Sequence, residues 1–266
     1  MQVVLITGGS TGIGKATGEL LQSKNFTVIG TSRSPDRYNN HPFPLIQMDL
    51  HDATSIQKAV ETVVTKYGAI DVLVNNAGKG IAGPIEETPL DEIRSVFETN
   101  LVGATAVIQS VIPTMRTINE GKIINITSIA GYSGLPFRAA YSATKSALHM
   151  LTESLRLELK PTNIQCCTLA PGDVATNISQ GRYHVPVKKN SPYHAIYGAA
   201  RKDMDAHVDD GVSAKTVAIS INRLIQKNKL KPHYTVGPFL QRFSIYLKSY
   251  LPAKIYEFIL SKFYKI

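Results

Sequence analysis

Four polar residues, Asn100, Ser128, Tyr141 and Lys145, have the types and spacing of a proton-transfer site. Tyr141 and Lys145 are four residues apart, so they fall on one face of a helix. A phenol beside an ammonium group can exchange a proton near neutral pH, because the positive charge favours the phenolate. Ser128 lies thirteen residues before Tyr141 and offers a hydroxyl that can donate to a substrate oxygen. A lone Tyr and Lys at this spacing more often belong to a half-exposed helix face, so the interpretation depends on the surrounding elements.

A glycine-rich turn near the N-terminus predicts a cofactor site. The chain opens with a short apolar run that ends at Ile6 and predicts a buried parallel strand. Glycines at 8, 12 and 14 follow, and then a helix-forming segment. In this context glycine lets the backbone approach a pyrophosphate, and the helix N-terminus favours its negative charge. A plain surface turn is the alternative, which the flanking strand and helix disfavour. We predict cofactor contacts at Gly8, Ser10, Thr11, Gly12, Ile13 and Gly14.

The end of the second predicted strand, 26–31, indicates which nicotinamide cofactor is used. NAD sites place an acidic residue about twenty positions after the glycine turn, where it binds the ribose 2′-hydroxyl. This chain has Ser32 there, followed by Arg33, whose guanidinium suits a 2′-phosphate. A solvated surface arginine is the competing interpretation, and the missing carboxylate is the stronger half of the argument. The sequence therefore predicts NADP(H) in preference to NAD(H).

These residues together resemble the short-chain dehydrogenase/reductase family. The matching motifs, in order, are Thr7-Gly8-x3-Gly12-x-Gly14, Asp49-Leu50, Asn75-Asn76-Ala77-Gly78, Asn100, Ser128, Tyr141-x3-Lys145 and Pro171-Gly172. The resemblance implies an α/β fold, namely a single-domain Rossmann fold with a doubly wound parallel sheet of about seven strands and helices on both faces. It also implies a homodimer or homotetramer formed through the helices near 91–116 and 140–159. A softer match, Tyr-x-Val-Gly-Pro at 234–238, resembles the 17-beta-hydroxysteroid-dehydrogenase-like branch.

The resemblance assigns a role to each motif residue. Tyr141 is the acid in reduction and the base in oxidation, and Ser128 binds the substrate oxygen. Lys145 binds the nicotinamide ribose and lowers the Tyr141 pKa, and Asn100 holds a water that completes a proton relay. Further cofactor contacts are implied for Asp49, Leu50, Asn76, Ala77, Gly78, Asn100, Tyr141, Lys145, Pro171, Gly172, Val174 and Thr176. Outside this pattern, Asp49 would be interpreted as a turn or helix-cap residue.

Alternating strand and helix patterns predict the same architecture. Strands are expected near 3–6, 26–31, 44–48, 72–75, 122–127, 164–169 and 233–236, and helices near 13–23, 53–67, 91–116, 140–159 and 214–227. We expect a catalytic domain at 1–237 that includes a lid segment at 173–211. The lid contains several tyrosines, of which Tyr183 is our candidate substrate contact. These aromatic residues fit an apolar substrate surface and ordinary loop packing equally well.

Residues 238–266 are expected to form a basic, amphipathic, helical C-terminal extension. Apolar residues follow a helical period at 239, 243, 246, 247 and 250, and again at 255, 258, 259 and 263. The charged residues are Arg242, Lys248, Lys254, Lys262 and Lys265 against Glu257. Such a helix pair can lie on an anionic membrane surface, pack over the substrate cleft, or contact a partner subunit. Packing against protein is the commoner fate, and neither run is long enough to span a bilayer.

Composition agrees with a cytoplasmic enzyme. The 266-residue chain has a formal net charge of +9 and a sequence pI of about 9.4, which suits an anionic cofactor or surface. No basic cluster is interleaved with aromatic residues in the core, so nucleic acid is not an expected partner. Cys166 and Cys167 are adjacent on a predicted strand, where neighbouring side chains point apart, so a disulfide between them is not expected. The cysteine content therefore indicates a reducing compartment. The lid histidines His184 and His194 have no metal-ligand spacing with a cysteine, so no metal site is expected there. The first strand leaves no room for a signal peptide.

Three functions follow from these observations. The leading one is an NADP(H)-dependent carbonyl reductase or alcohol dehydrogenase for a hydrophobic, steroid-like ketone or secondary alcohol. The second is a lipid enzyme of the same reaction class that reduces an oxo-acyl or acyl-dihydroxyacetone substrate at a membrane surface. The third is a regulatory protein that senses NADPH and does little catalysis. Family members of that third kind often lack the tyrosine or the lysine, and both are present here.

Overall fold

The computed structural model describes residues 1–175, 181–209, 211–264 and 266, with only the backbone described for 205–209. A seven-stranded sheet lies at its centre, and each neighbouring pair of strands in it is parallel. Its strands are β1 (Val3–Ile6), β2 (Thr27–Ser32), β3 (Leu45–Gln47), β4 (Val72–Asn75), β6 (Gly121–Ile126), β7 (Ile164–Pro171) and β11 (His233–Val236). Two-residue strands form separate parallel pairs: β5 (Ile81–Ala82) with β9 (Tyr183–His184), and β8 (Val174–Ala175) with β10 (Val212–Ser213).

Helices cover both faces of the sheet. In the described chain they are α1 (Gly12–Gln22), α2 (Ala53–Tyr67), α3 (Leu90–Phe97), α4 (Ala104–Ile118), α5 (Ala139–Glu158), α6 (His194–Asp209), α7 (Ala214–Ile225), α8 (Phe239–Tyr250) and α9 (Ala253–Tyr264). Because strand side chains alternate, Val3 and Leu5 of β1 enter the apolar cluster with α2 and α4. Val4 and Ile6 enter the cluster on the opposite face, with α7. The doubly wound fold and the helical tail are confirmed.

The strand order, β11-β7-β6-β4-β1-β2-β3, explains where the polar motifs meet. The chain crosses from β1 to β2 on one side and returns to β4 on the other side of β1. The order therefore reverses between β1 and β4, and a crevice opens there beyond the carboxyl ends of the strands. The glycine turn follows β1 directly, and the Asn75-to-Gly78 motif continues from the end of β4.

Two regions differ from the sequence predictions. The single helix expected at 91–116 is divided by a π-helical turn, Glu98–Gly103, which separates α3 from α4. The expected lid at 173–211 is not an irregular loop, since it contains α6 as well as β8 and β9. Tyr197, Ala200 and Met204 form the buried face of α6. Their spacing of three and four residues is helical, so the sequence contains a signal for this helix.

One helical run has the length and hydropathy of a membrane span. It covers Leu90–Ile118 and includes α3, the π-helical turn and α4. Val107, Val111 and Met115 on this run are fully buried in the core cluster beside the sheet. Packing in the core therefore accounts for its apolar composition.

Candidate active site

The glycine turn brings the backbone of α1 close to β4. Gly8 and Gly12 have φ angles of +64° and +54°, in the left-handed region that glycine adopts without strain. A Cβ on Gly14 would clash with the carbonyl oxygen of Gly8 and would lie 2.8 Å from Asn76 Nδ2. The turn thus forms a cradle that a side chain would fill. The cradle opens at the N-terminus of α1, where backbone N–H groups favour a phosphate.

Thr7 fixes this turn to the neighbouring loop. Its fully buried hydroxyl accepts hydrogen bonds from the backbone N–H groups of Asn76 (2.9 Å) and Ala77 (3.0 Å). In return, Asn76 Nδ2 donates to the carbonyl oxygens of Thr7 (2.9 Å) and Gly8 (3.2 Å). The sequence motif contained Thr7, but we predicted no role for it. Its role is to hold the two cofactor loops together.

The π-helical turn positions Asn100. This residue is 1% exposed, and its Oδ1 accepts a hydrogen bond from Lys79 N at 2.7 Å. Its Nδ2 donates to Lys79 O at 3.0 Å and to Thr144 Oγ1 at 3.2 Å. A Cβ on Gly78 would lie 3.2 Å from Asn100 Oδ1, so the Asn100 side chain would have to shift slightly, and 3.5 Å from Lys145 Nζ, which is an ordinary contact. A π-helical turn at this point is consistent with the frequent use of such turns at functional sites.

The predicted proton-transfer residues meet at the end of β6. Ser128 follows that strand, and its Oγ accepts a hydrogen bond from Ala130 N at 3.1 Å. Tyr141 and Lys145 both lie on α5, and the Ser128 side chain is close enough to the Tyr141 phenol to lower its pKa. Lys145 Nζ lies 5.9 Å from the centroid of the Tyr141 ring and donates to Ile126 O at 3.0 Å. The three groups are thus adjacent and oriented by the end of one strand.

Burial determines the protonation of these groups. It raises the pKa of Tyr141, although the hydrogen bond with Ser128 and the nearby cations Arg138 and Arg182 oppose the rise. The phenol is therefore protonated at neutral pH, the state that an acid in reduction requires. The predicted lowering of this pKa by Lys145, whose Nζ lies 5.9 Å from the centroid of the Tyr141 ring, stays a prediction. Burial also lowers the pKa of Lys145 itself to about 8.

A cleft that is open to solvent lies over these residues. Nine of the predicted site residues line it: Ile13, Asn76, Gly78, Ser128, Tyr141, Lys145, Pro171, Gly172 and Val174. The glycines of the turn, with Ser10, Thr11, Ala77 and Asn100, are not among its lining residues. They belong to the turn and the hydrogen-bonded loops described above. Thr176 lies outside the described residues.

The predicted adenosine end lies on β2 and the loop after β3. Ser32 is half-buried at the end of β2, and its Oγ accepts a hydrogen bond from Ser34 N at 3.2 Å. Arg33 is exposed beside it. The Asp49 carboxylate accepts a hydrogen bond from His51 N at 3.0 Å, so it has the turn role that the residue type alone suggests. Leu50 packs at the core edge, where a Cβ on Gly103 would clash with its carbonyl oxygen.

The substrate side of the cleft contains residues that we did not predict. Arg138 and Arg182 line it with Asp173, and Arg138 Nη1 lies 3.9 Å from Asp173 Oδ1. Tyr183, our candidate substrate contact, is not among the lining residues. It packs in an apolar cluster with Ile81 and the ring of Tyr141. No motif marks the two arginines, because the family pattern around Tyr141 does not include them.

The other lid tyrosines serve packing. Tyr197 is 4% exposed, and its hydroxyl donates to Ala82 O at 2.8 Å. Tyr193 donates to Glu86 Oε2 at 2.8 Å. Both bonds attach α6 and the segment before it to the region around β5. The sequence left two interpretations open for these aromatic residues, an apolar substrate surface and ordinary packing. Tyr193 and Tyr197 fit ordinary packing.

The tail packs against the rim of the cleft. Gln241 on α8 accepts a hydrogen bond from Asp173 N at 2.9 Å and donates to Asp173 Oδ2 at 2.6 Å. Lys248 donates to Tyr132 O at 2.6 Å. On α9, Tyr256 is buried and donates to Ser133 Oγ at 3.1 Å. Lys265, counted among the tail charges, lies outside the described residues. Helix α8 is thus attached to the cleft through Asp173, and both tail helices are attached to the segment after β6 through Tyr132 and Ser133.

Comparison with known proteins agrees with this geometry. A family model described as short chain dehydrogenase matches residues 2–185. Over 266 residues the chain is 33% identical to 3-ketodihydrosphingosine reductase of Bacteroides thetaiotaomicron, with 100% of this chain and 98% of that protein covered. A solved short-chain dehydrogenase from Streptomyces avermitilis has a TM-score of 0.77 and 28% identity over 94% of this chain and 95% of that one. A short-chain dehydrogenase/reductase from Burkholderia phymatum in complex with NAD has a TM-score of 0.76 and 25% identity over 88% of each chain.

Proposed function

The chain belongs to the short-chain dehydrogenase family and is an oxidoreductase of that family, and from this premise we propose that it is an NADP(H)-dependent reductase of a hydrophobic lipid ketone. The observation that carries the reaction is the contact of Ser128 and Tyr141 beside Lys145 in the cleft. The observation that favours a lipid ketone is the full-length similarity to a 3-ketodihydrosphingosine reductase. In the reductive direction the Tyr141 phenol can act as the acid, because burial raises its pKa and keeps it protonated at neutral pH.

The residues of the glycine cradle fit a nicotinamide dinucleotide. Gly14 leaves the space beside Gly8 free, and the N-terminus of α1 faces that space. Lys145 and Asn100 would hold the ribose end, and Ser32 with Arg33 the 2′-phosphate end. When bound, the reduced cofactor supplies a hydride to the carbonyl carbon. We propose NADP(H) because Arg33, rather than a carboxylate, follows Ser32.

The protein's own groups act on the carbonyl oxygen. Ser128 donates a hydrogen bond that orients the oxygen and stabilises the charge that develops on it. Tyr141 then gives its phenolic proton to this oxygen, which becomes the hydroxyl of the product. The Lys145 ammonium stabilises the resulting phenolate by its charge. Asn100 holds the water through which Tyr141 and Lys145 regain a proton from solvent.

The test is a substrate panel followed by the absorbance of NADPH and of NADH. It includes 3-ketodihydrosphingosine, an acyl-dihydroxyacetone, an oxo-acyl thioester, a medium-chain ketone and steroid ketones, with Tyr141→Phe as the control. We expect the largest kcat/KM with a lipid ketone and NADPH. A preference for steroid ketones would instead support the hydroxysteroid-dehydrogenase-like alternative. Tight NADPH binding without turnover of any ketone would support the regulatory alternative.

We further propose a cytoplasmic enzyme that assembles as a homodimer or homotetramer and touches membranes only peripherally. Cys166 and Cys167 are both buried free thiols, and burial raises the pKa of each to about 12, which suits a reducing compartment. Exposed Met150 and Leu157 on α5 support an interface on that helix. Sedimentation velocity of the purified protein tests the assembly, and a monomer at micromolar concentration would contradict it.

A further inference from the structure

Exposed large apolar side chains are concentrated in the tail. Of the eighteen in the described chain, ten lie between 239 and 266. The most exposed, at 61% to 84%, are Phe239, Leu240, Tyr246, Tyr250 and Phe258. Exposed apolar side chains that are concentrated in one part of a protein often mark an interaction surface, whereas scattered ones need no partner. More than half of the exposed large apolar side chains thus lie in one short segment of the described chain.

Other faces of the two helices contact the protein. On α8, Gln241 and Lys248 form hydrogen bonds with Asp173 and Tyr132, whereas Phe239, Tyr246 and Tyr250 are 62% to 84% exposed. On α9, the buried residue is Tyr256. The apolar residues that follow a helical period in the sequence therefore form mainly the outer surface of the tail. We call the exposed outer faces of α8 and α9 the tail surface.

The charges of the tail surface favour one class of partner. The basic residues Arg242, Lys254 and Lys262 are exposed, and Glu257 is the acidic residue of the tail. Lys262 Nζ lies 5.6 Å from the centroid of the Phe258 ring, so a cation and an aromatic residue occupy the same patch. Aromatic residues with lysines beside them suit the boundary between acyl chains and headgroups.

A second copy of the chain is the less suitable partner. In a twofold interface the same patch of each copy faces the other. Two tail surfaces would therefore bring together two patches of the same positive net charge, each with Arg242, Lys254 and Lys262 against Glu257. An anionic lipid surface instead attracts each of these charges and accepts the apolar side chains between them.

We propose that the tail surface docks the enzyme on an anionic lipid bilayer, with the mouth of the active-site cleft held at that surface. The attachment of α8 to Asp173 and Tyr132 places the docked helices on the rim of the cleft. A lipid ketone then has a short path from the bilayer to Tyr141. The docking itself does not depend on the identity of the substrate.

The test measures flotation of the full chain with vesicles of phosphatidylcholine alone and with about one third phosphatidylglycerol. We expect binding to the anionic vesicles, weakened by salt, and at least about tenfold weaker binding for Ile259→Asp. The matched control is Ile118→Asp, which changes an isoleucine of similar exposure, 44% against 40%, at the far end of α4. Lys254→Glu should lower the preference for anionic vesicles without removing the apolar contact.

Two results would overturn the proposal. One is absence of binding to anionic vesicles, and the other is equal loss of binding in Ile259→Asp and Ile118→Asp. Self-association that Ile259→Asp abolishes, with no binding to vesicles, would assign the tail surface to a second copy. NADPH binding by each variant shows that the fold is intact. Turnover of a short soluble ketone separates docking from catalysis, because loss of docking leaves that turnover unchanged.

Discussion

The two sides of the cleft are built in different ways. The cofactor side consists of backbone motifs at strand ends, where Thr7 accepts hydrogen bonds from Asn76 and Ala77 across 69 and 70 positions of sequence. The substrate side consists of side chains outside the sheet, as when Gln241 binds Asp173 across 68 positions. Both sides thus join segments that are distant in sequence, but pairing of β1 with β4 in the central sheet holds the first, whereas side-chain contacts with the tail hold the second. We propose that the first arrangement fixes the reaction and that the second selects the substrate. Changes on the cofactor side should therefore affect all substrates alike, and changes on the substrate side should discriminate among them.

The largest expected effect is that of Tyr141→Phe. Removing the phenolic oxygen removes the proton donor, which contributes about 10²–10⁴-fold to the rate. We expect kcat to fall by about that factor for each ketone, with NADPH affinity retained. Tyr246→Phe, on the exposed surface of α8, is the control. Stopped-flow NADPH oxidation measures both variants, and substantial activity in Tyr141→Phe would remove this residue from the acid role.

Gly14→Ala should impair the cofactor side next. The new Cβ meets the Gly8 carbonyl and lies 2.8 Å from Asn76 Nδ2, which costs about 1–3 kcal/mol in binding or stability. The matched control is Gly198→Ala on α6, where a Cβ meets nothing within 4 Å. NADPH titration by fluorescence and thermal unfolding measure the two variants. Equal behaviour of the two would contradict the cradle.

Cofactor choice should depend on Ser32 and Arg33 alone. The double change Ser32→Asp with Arg33→Ser removes the cation for the 2′-phosphate and adds a carboxylate for the 2′-hydroxyl. The loss of a charge-assisted hydrogen bond is worth about 1.5–3 kcal/mol. We therefore expect the ratio of kcat/KM for NADPH over NADH to fall by about one to two decades. An unchanged ratio would refute the proposed preference for NADP(H).

The pH profile of reduction should reflect Lys145. Burial lowers its pKa to about 8, so the ammonium loses its charge as pH rises through that value. The pKa of Tyr141 is raised, so the phenol stays protonated over the same range. We expect kcat/KM, which reports the free enzyme, to fall above about pH 8. In Lys145→Arg the guanidinium does not titrate, so we expect a lower overall rate and no fall of kcat/KM in this pH range. A fall that persisted in this variant would come from the titration of another group.

The smallest effect should come from Gln241→Ala on the substrate side. It removes the two hydrogen bonds to Asp173, each worth about 0.5–1.5 kcal/mol. We expect KM for a long-chain ketone to rise a few-fold, with NADPH affinity and turnover of a short ketone unchanged. Gln226→Ala, an exposed glutamine at the end of α7, is the control. A loss of NADPH affinity in Gln241→Ala would contradict the expectation that the substrate side acts independently of the cofactor side.

The cofactor side and the substrate side also differ in how far the sequence predicts them. The fold and the meeting of Ser128, Tyr141 and Lys145 followed from strand ends and from helical spacing, which are local properties. The approach of Arg138 to Asp173 has no signature in the sequence, because the two residues belong to segments that meet only in the folded protein. The π-helical turn was missed since the residues around Asn100 have ordinary helix propensity. The tail helices were predicted, but their orientation, with the apolar faces outward, depends on which residues contact the cleft rim.

The most direct measurement follows a deuterium label from the cofactor to the product. The enzyme would reduce 3-ketodihydrosphingosine with NADPH deuterated in turn at each of the two C4 positions of the nicotinamide, with the alcohol analysed by mass spectrometry. Direct hydride transfer predicts that one of the two labelled cofactors gives an alcohol one mass unit heavier, with deuterium on the carbinol carbon, and that Tyr141→Phe slows its formation. An unlabelled alcohol from both cofactors, or NADPH bound without any alcohol formed, would contradict the proposed reaction.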